Sequence, residues 1–150
     1  MNGALNIADR LRSLAEKMPH ARAVVDARRL GGRRIEDVPS IDFAELDARV
    51  DANITGLRAL GFREGMRCLL MVPPSFEFFG LTFALFRMGV IPVFIDPAMG
   101  RVNVLGAVRE VEPEAMIGTP KAQLARTLFP SAFRSVRVRV TVHGPAIFGG

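Results

Sequence analysis

Gly118-Thr119-Pro120-Lys121 sets a glycine, a hydroxyl and a cation where a short apolar run meets a helix-like segment. Such residues could hold a phosphate on a helix N-terminus, where unpaired N–H groups and the helix dipole favour an anion. A phosphate loop also needs small residues upstream, so that several N–H groups converge. Here the upstream residues are Glu114-Ala115-Met116-Ile117, an ordinary strand. An N-capped helix with a surface lysine at Lys121 explains the stretch as well. Neither G-x-x-x-x-G-K-S/T nor G-x-G-x-x-G occurs. Asp96, in Ile95-Asp96-Pro97-Ala98, is the acid of most interest. Ligands of parallel α/β sheets bind beyond the carboxyl ends of the strands, where this residue is expected. An Asp before Pro also shapes a turn through its own backbone, which is the competing reading.

The remaining candidates point to structure. His20 and His143 are the only histidines, far apart and without cysteine or carboxylates at ligand spacing. Ser75 follows Pro73-Pro74 and lacks a Gly-x-Ser-x-Gly elbow, so it is expected to cap a helix. Cys68 is the only cysteine, which excludes an internal disulfide. Its setting, Arg67-Cys68-Leu69-Leu70-Met71-Val72, suits a small buried hydrophobe and shows no neighbouring base to activate it. Asp42, Glu45, Asp47 and Asp51 fall along one helix and are expected to form a solvated face. No residue is put forward as catalytic, cofactor-binding or metal-ligating.

These residues need elements to place them. Asn6 can cap a first helix running to about Met18, with Ile7, Leu11, Leu14 and Met18 on one stripe and Pro19 as its stop. Ala23-Val24-Val25 is a short strand candidate. Ala27 to Ser40 reads as a loop carrying Gly31-Gly32 between Arg-Arg pairs. Asp42 or Ser40 can cap the next helix, with Glu45 three residues beyond Asp42 in a capping-box arrangement, and Phe43, Leu46, Val50, Ile54, Leu57 and Leu60 then fall at steps of three and four. Gly61 ends that helix. Cys68 to Val72 reads as a strand buried on both faces, Phe76 to Met88 as a helix apolar nearly all round, and Val90 to Ile95 as a buried inner strand after a helix stop at Gly89. Val102, Leu105, Val108 and Val111 mark a helix ended by Pro113. Ala115 to Ile117 is then a strand, Pro120 to Leu128 a helix, and Val136 to Val142 an edge or half-exposed strand. The expected fold is α/β: N-terminal helices leading into a doubly wound, mostly parallel sheet.

The chain's 150 residues leave room for one ordinary domain. At 49% hydrophobic and 23% charged, it suits a packed core and argues against disorder. Lys plus Arg total 20 against 15 Asp plus Glu, and the net charge of +5 fits either a phosphate-rich partner or an Arg-rich solvated surface. The arginines are spread along the chain and form no single basic stripe, so no nucleic-acid partner is expected. The longest apolar run, Phe78 to Phe86, is fenced by Glu77 and Arg87 and is too short to cross a membrane. No secretory leader is read in the first residues, and a cytoplasmic location is expected.

Three stretches resemble the adenylate-forming (AMP-dependent synthetase/ligase) superfamily. Ile41-Asp42-Phe43-Ala44-Glu45-Leu46 resembles its L-T/S-Y-x-E-L signature. Phe86-Arg87-Met88-Gly89-Val90-Ile91-Pro92-Val93-Phe94-Ile95-Asp96-Pro97 resembles L-K-A-G-x-x-x-V-P-I/L-D-P. Between them, Gly61-Phe62-Arg63-Glu64-Gly65-Met66-Arg67 is similar to the G-v-x-x-G-D-x-V lead into a strand. The chain departs from the pattern at Met66-Arg67, where an Asp is usual, and at Pro92, one place early. The wording around Leu81 to Phe86 and Asp96 to Arg101 looks most like the fatty-acyl ligase branch that includes the olefin-pathway β-lactone synthetases.

The resemblance implies an enzyme that uses ATP and Mg²⁺ to turn a carboxylic acid into an acyl-adenylate. The acyl group then passes to CoA, or a β-hydroxy acid closes to a β-lactone. It also implies that residues 1–150 are an incomplete N-terminal subdomain, inactive alone, to which ATP and Mg²⁺ do not bind. The family's Ser/Thr/Gly-rich phosphate loop, ribose-binding Asp and catalytic Lys belong to downstream segments. Lys121 follows the second signature too closely to be the phosphate-loop lysine. The alternative is a non-catalytic scaffold or interaction module that kept only the family fold and is open to self-association.

Overall fold

The computed structural model describes residues 6–27, 31–32 and 34–142. The chain divides into two compact units interleaved along it, 1–59 with 74–88 and 60–73 with 89–150.

The first unit holds α1 (Ile7–Lys17), β1 (Arg22–Val25), β2 (Ser40–Asp42), α2 (Phe43–Ala59) and α3 (Phe76–Arg87). Asn6 caps α1 by accepting from the Ala8 N–H at 3.0 Å, and its Nδ2 donates to the Phe86 carbonyl at 2.6 Å. Leu11 is buried on the expected stripe, whereas Ile7 and Met18 are exposed. The expected loop from Ala27 to Ser40 ends in β2, which pairs antiparallel with β1 through Val24↔Ile41 and Val25↔Ser40. A three-residue strand is too short to show alternation. The Arg-rich part of that loop, at 28–30 and 33, lies outside the described residues, as does His143.

The start of α2 follows from its first residues. Asp42 Oδ1 accepts from the Glu45 N–H at 2.8 Å, and Glu45 Oε2 accepts from the Asp42 N–H at 3.2 Å. Each side chain thereby satisfies a donor the helix cannot. Leu46, Val50, Ile54 and Leu57 are buried, while Leu60 lies past the helix end and is exposed. Ser75 caps α3 by accepting from the Phe78 N–H at 3.2 Å. Gly80 lets α3 approach α2 closely: a Cβ there would stand 3.1 Å from Asn53 Nδ2.

The second unit is a four-stranded parallel sheet in the order β4-β3-β5-β6, from β3 (Arg67–Met71), β4 (Ile91–Val93), β5 (Ala115–Gly118) and β6 (Val138–Thr141). With it go α4 (Arg101–Val111) and α5 (Pro120–Leu128). The chain leaves β3 for β4 on one side, then crosses to β5 on the other. That reversal is the mark of a doubly wound sheet. Every residue of β5 is buried, and Cys68↔Ala115 to Met71↔Gly118 pair it with β3. Leu69, Met116, Val108 and Phe133 form the core of this unit. Each such side chain contributes about 1.5–3 kcal/mol by leaving water.

Two expectations need correction. The strand expected from Val90 to Ile95 as a buried inner element is three residues long and sits at the sheet edge. Ile91 and Phe94 are exposed. Pro92 has no N–H for a second neighbour, which suits an edge. On α4 only Val108 of the expected stripe is fully buried, and Val102 is 79% exposed. The helix stops at Glu112, in the left-handed region at φ 48°. The stop at Gly89 stands as expected, with φ 67°. Among the described residues no helix is long and apolar enough to cross a membrane.

Candidate functional site

The chain's change of direction falls between β3 and β5, so their carboxyl ends, at Met71 and Gly118, mark the place where such sheets take ligands. Gly118 is there because nothing larger fits: a Cβ would meet Ala122 Cβ at 2.9 Å. Its neighbours are already engaged. The Thr119 N–H donates to the Met71 carbonyl at 3.3 Å, and Thr119 Oγ1 accepts from the Ala122 N–H at 3.4 Å. The Gln123 N–H donates to the Thr119 carbonyl at 3.0 Å, and Pro120 has no N–H to offer. Lys121 is exposed. Of the two readings of 118–121, the geometry favours the capped helix over the phosphate cradle.

Asp96 likewise shapes a turn. Its Oδ1 accepts from the Ala98 N–H at 2.8 Å and its carbonyl from the Met99 N–H at 3.2 Å, which closes a single 3-10 turn at Pro97–Met99. Cys68 is fully buried, and desolvation pushes its thiol up to about 12, against a smaller lowering by the Ile117 backbone. A thiol held neutral in this way is no nucleophile. His20 is exposed, with Nδ1 3.5 Å from Asp42 Oδ2. Among the described residues no three His, Cys, Asp or Glu side chains converge as a metal site.

The residues that local patterns missed lie in the first unit. Asp51 is 54% exposed, as a solvated face would have it, but Asp47 is only 18% exposed, and both are paired with arginine. Arg87 Nη2 donates to Asp47 Oδ1 at 2.6 Å and to the Ala8 carbonyl at 3.2 Å, while its Nη1 donates to Asp51 Oδ1 at 2.8 Å. Arg12 Nη2 binds both Asp51 oxygens, at 2.9 and 2.8 Å. One guanidinium thus ties α1, α2 and α3 together at the Arg87 position of the second signature. The available signal was Asp47 and Asp51 four apart on α2, which places both on one face.

The chain matches the AMP-binding enzyme family over residues 11–146. It is 43% identical over 144 residues to an olefin β-lactone synthetase of Stenotrophomonas maltophilia, covering 92% of this chain and 26% of that protein. Against 2,3-dihydroxybenzoate-AMP ligase of Bacillus subtilis it is 41% identical over 90 residues, covering 56% of this chain and 17% of that protein. Among solved structures, a long-chain-fatty-acid-CoA ligase from Archaeoglobus fulgidus shares the fold at a TM-score of 0.77 and 22% identity, over 95% of this chain and 28% of that one. The N-terminal domain of FACL13 from Mycobacterium tuberculosis does so at 0.74 and 20% identity, over 91% and 33%. The chain spans about a quarter of the length of the β-lactone synthetases it matches, 26% and 27%. With the signatures in order, the parallel sheet and the matched span all agreeing, this chain belongs to the AMP-binding enzyme family of adenylate-forming ligases.

Proposed function

We propose that this chain is the N-terminal portion of an ATP-dependent acyl-adenylating ligase, with residues 1–150 an incomplete N-terminal subdomain that does not turn over alone. The observation that carries the reading is the coverage. The similarity to the olefin β-lactone synthetases takes in 92% and 100% of this chain but only 26% and 27% of theirs. The capped-helix geometry at Gly118 to Lys121, where the Thr119, Ala122 and Gln123 N–H groups are already engaged, supports it further. The parent enzyme activates a fatty or β-hydroxy acid in the cytoplasm, then passes the acyl group to CoA or closes a β-lactone. Within it, this chain is scaffold: it begins the parallel sheet and fixes the signature segment through Arg87.

The test is ATP–pyrophosphate exchange with fatty and β-hydroxy acids. It is run on the 150-residue chain alone, then on the chain joined to the remainder of the S. maltophilia relative. The isolated chain is expected to give no exchange and the joined protein to give it. Exchange by the isolated chain overturns the inactivity. A folded joined protein without exchange overturns the scaffold role.

A further inference from the structure

We propose that the open edge of β6 is a docking site for an acidic, extended segment of a partner protein, which adds to the sheet as a further strand. β6 ends the strand order, so one side of its backbone has no neighbour in the sheet. The Val138 N–H donates to the Glu114 carbonyl at 3.2 Å, and the Val142 N–H donates to the Gly118 carbonyl at 3.0 Å. Every second residue thus faces β5, and the alternation turns the N–H and C=O groups of Arg139 and Thr141 outward. Such a row is a template for another strand. The opposite edge is guarded, because Pro92 removes the outward donor of β4. A cavity of ≈ 470 Å³ lies along the β6 edge, lined by Leu60 and Gln123 as well as by strand residues. Gln123 Nε2 donates to the Val140 carbonyl at 3.0 Å, which ties the strand to α5.

The side chains select the partner. Exposure alternates from Arg137 to Thr141, so Arg137 and Arg139 stand two apart on one face. Both line the cavity, no carboxylate lines it with them, and neither guanidinium makes an ion pair or hydrogen bond with a described residue. An added strand with carboxylates at alternate positions meets both cations, and opposite charges across strands stabilise the pairing. A second copy brings its own arginine pair to the same seam, and like charges there oppose it. Residues 143–150, which follow the strand, hold no Asp or Glu. The inference stands apart from the ligase reading, because it is read by binding and not by pyrophosphate exchange.

The probe is the peptide acetyl-Thr-Asp-Val-Glu-Val-Ser-amide carrying an uncharged dye, followed by fluorescence anisotropy and by residue-resolved amide exchange. It is expected to bind saturably, one per chain, and to slow exchange at the Arg139 and Thr141 amides. Replacing its Asp and Glu by Asn and Gln is expected to weaken binding about tenfold, the loss of two cross-strand charge pairs. The double variant Arg137→Glu with Arg139→Glu, its fold checked by circular dichroism, should lose this peptide and take up one with Lys at both places. Two further peptides are N-methylated on one or the other alternate set of backbone nitrogens. One should lose binding and the other keep it, because only one set faces β6. Equal affinity for the acidic and amide peptides overturns the proposal, as does equal affinity for the two methylated ones. Protection of the Arg139 and Thr141 amides without peptide overturns it too. If that protection grows with protein concentration, the occupant is a second copy. If it is present in the chain joined to the remainder of the S. maltophilia relative, the occupant is the same polypeptide. Tighter binding of a short single-stranded DNA at this edge also overturns it, in favour of a nucleic-acid contact.

Discussion

Arg87 Nη2 donates to Asp47 Oδ1 at 2.6 Å, from a guanidinium that is only 13% exposed. With Asp51 and the Ala8 carbonyl on the same fork, the group is largely satisfied. Removing it leaves Asp47, itself 18% exposed, with only the longer contact to Arg12 Nε at 3.7 Å. Breaking a buried pair costs about 3–5 kcal/mol, and the more exposed Asp51 side brings the expectation for Arg87→Ala to about 3 kcal/mol. Arg87→Lys keeps the charge but not the fork, so it should recover only part of this. Urea unfolding measures both variants. A loss below about 0.5 kcal/mol for Arg87→Ala, the range of ordinary surface changes, would show that the cluster is decorative.

The Asp42 carboxyl is held below its ordinary value of 3.8, chiefly by the Glu45 backbone N–H and then by His20, with desolvation opposing. The sign follows from proton uptake. As pH falls, the unfolded chain binds this proton first, so the contribution is present above 3.8 and lost as pH drops through the lower folded value. Asp42→Asn keeps a capping oxygen without the charge. At pH 7 the thermal midpoints should fall in the order wild type, Asp42→Asn, Asp42→Ala. The gap between wild type and Asp42→Asn should close as pH is lowered past 3.8. A gap that persists at pH 2 would assign it to something other than ionisation.

How much of this was legible in the sequence depends on range. The start of α2 could be read because Asp42 and Glu45 bond to each other's backbone three residues apart. The Ser75 and Thr119 caps are local in the same sense. The Arg87 cluster could not be read that way, because its partners Asp51 and Asp47 stand 36 and 40 residues away. Four acids along a helix look alike until a neighbouring helix delivers a cation to two of them. The edge position of β4 was hidden for a related reason. Val90 to Ile95 is apolar enough for an inner strand, but strand order is set by where the chain goes next, and it crosses β3 to reach β5. The site at Gly118 was half legible. Residue types alone left a cradle and a cap open, and the choice came from which N–H groups were already engaged.

Cys68 provides a clean probe of the second unit, because it is the only thiol and stands opposite Ala115 in the middle of the sheet. Burial pushes it up to about 12 from its ordinary 9.0. Between those values the unfolded chain gives up the proton that the folded chain keeps. Stability from this group is therefore full below 9.0 and is lost as pH rises toward 12. Cys68→Ala should flatten the alkaline limb of the stability profile over that interval, though it lowers stability at pH 7 by about 1 kcal/mol through lost packing. In the folded wild type at pH 8 the thiol should resist a disulfide reagent such as DTNB and react at once in urea, so that its labelling rate reports opening of the sheet. Rapid labelling of the folded protein at pH 8 would mean that β3 is not the covered centre of this sheet.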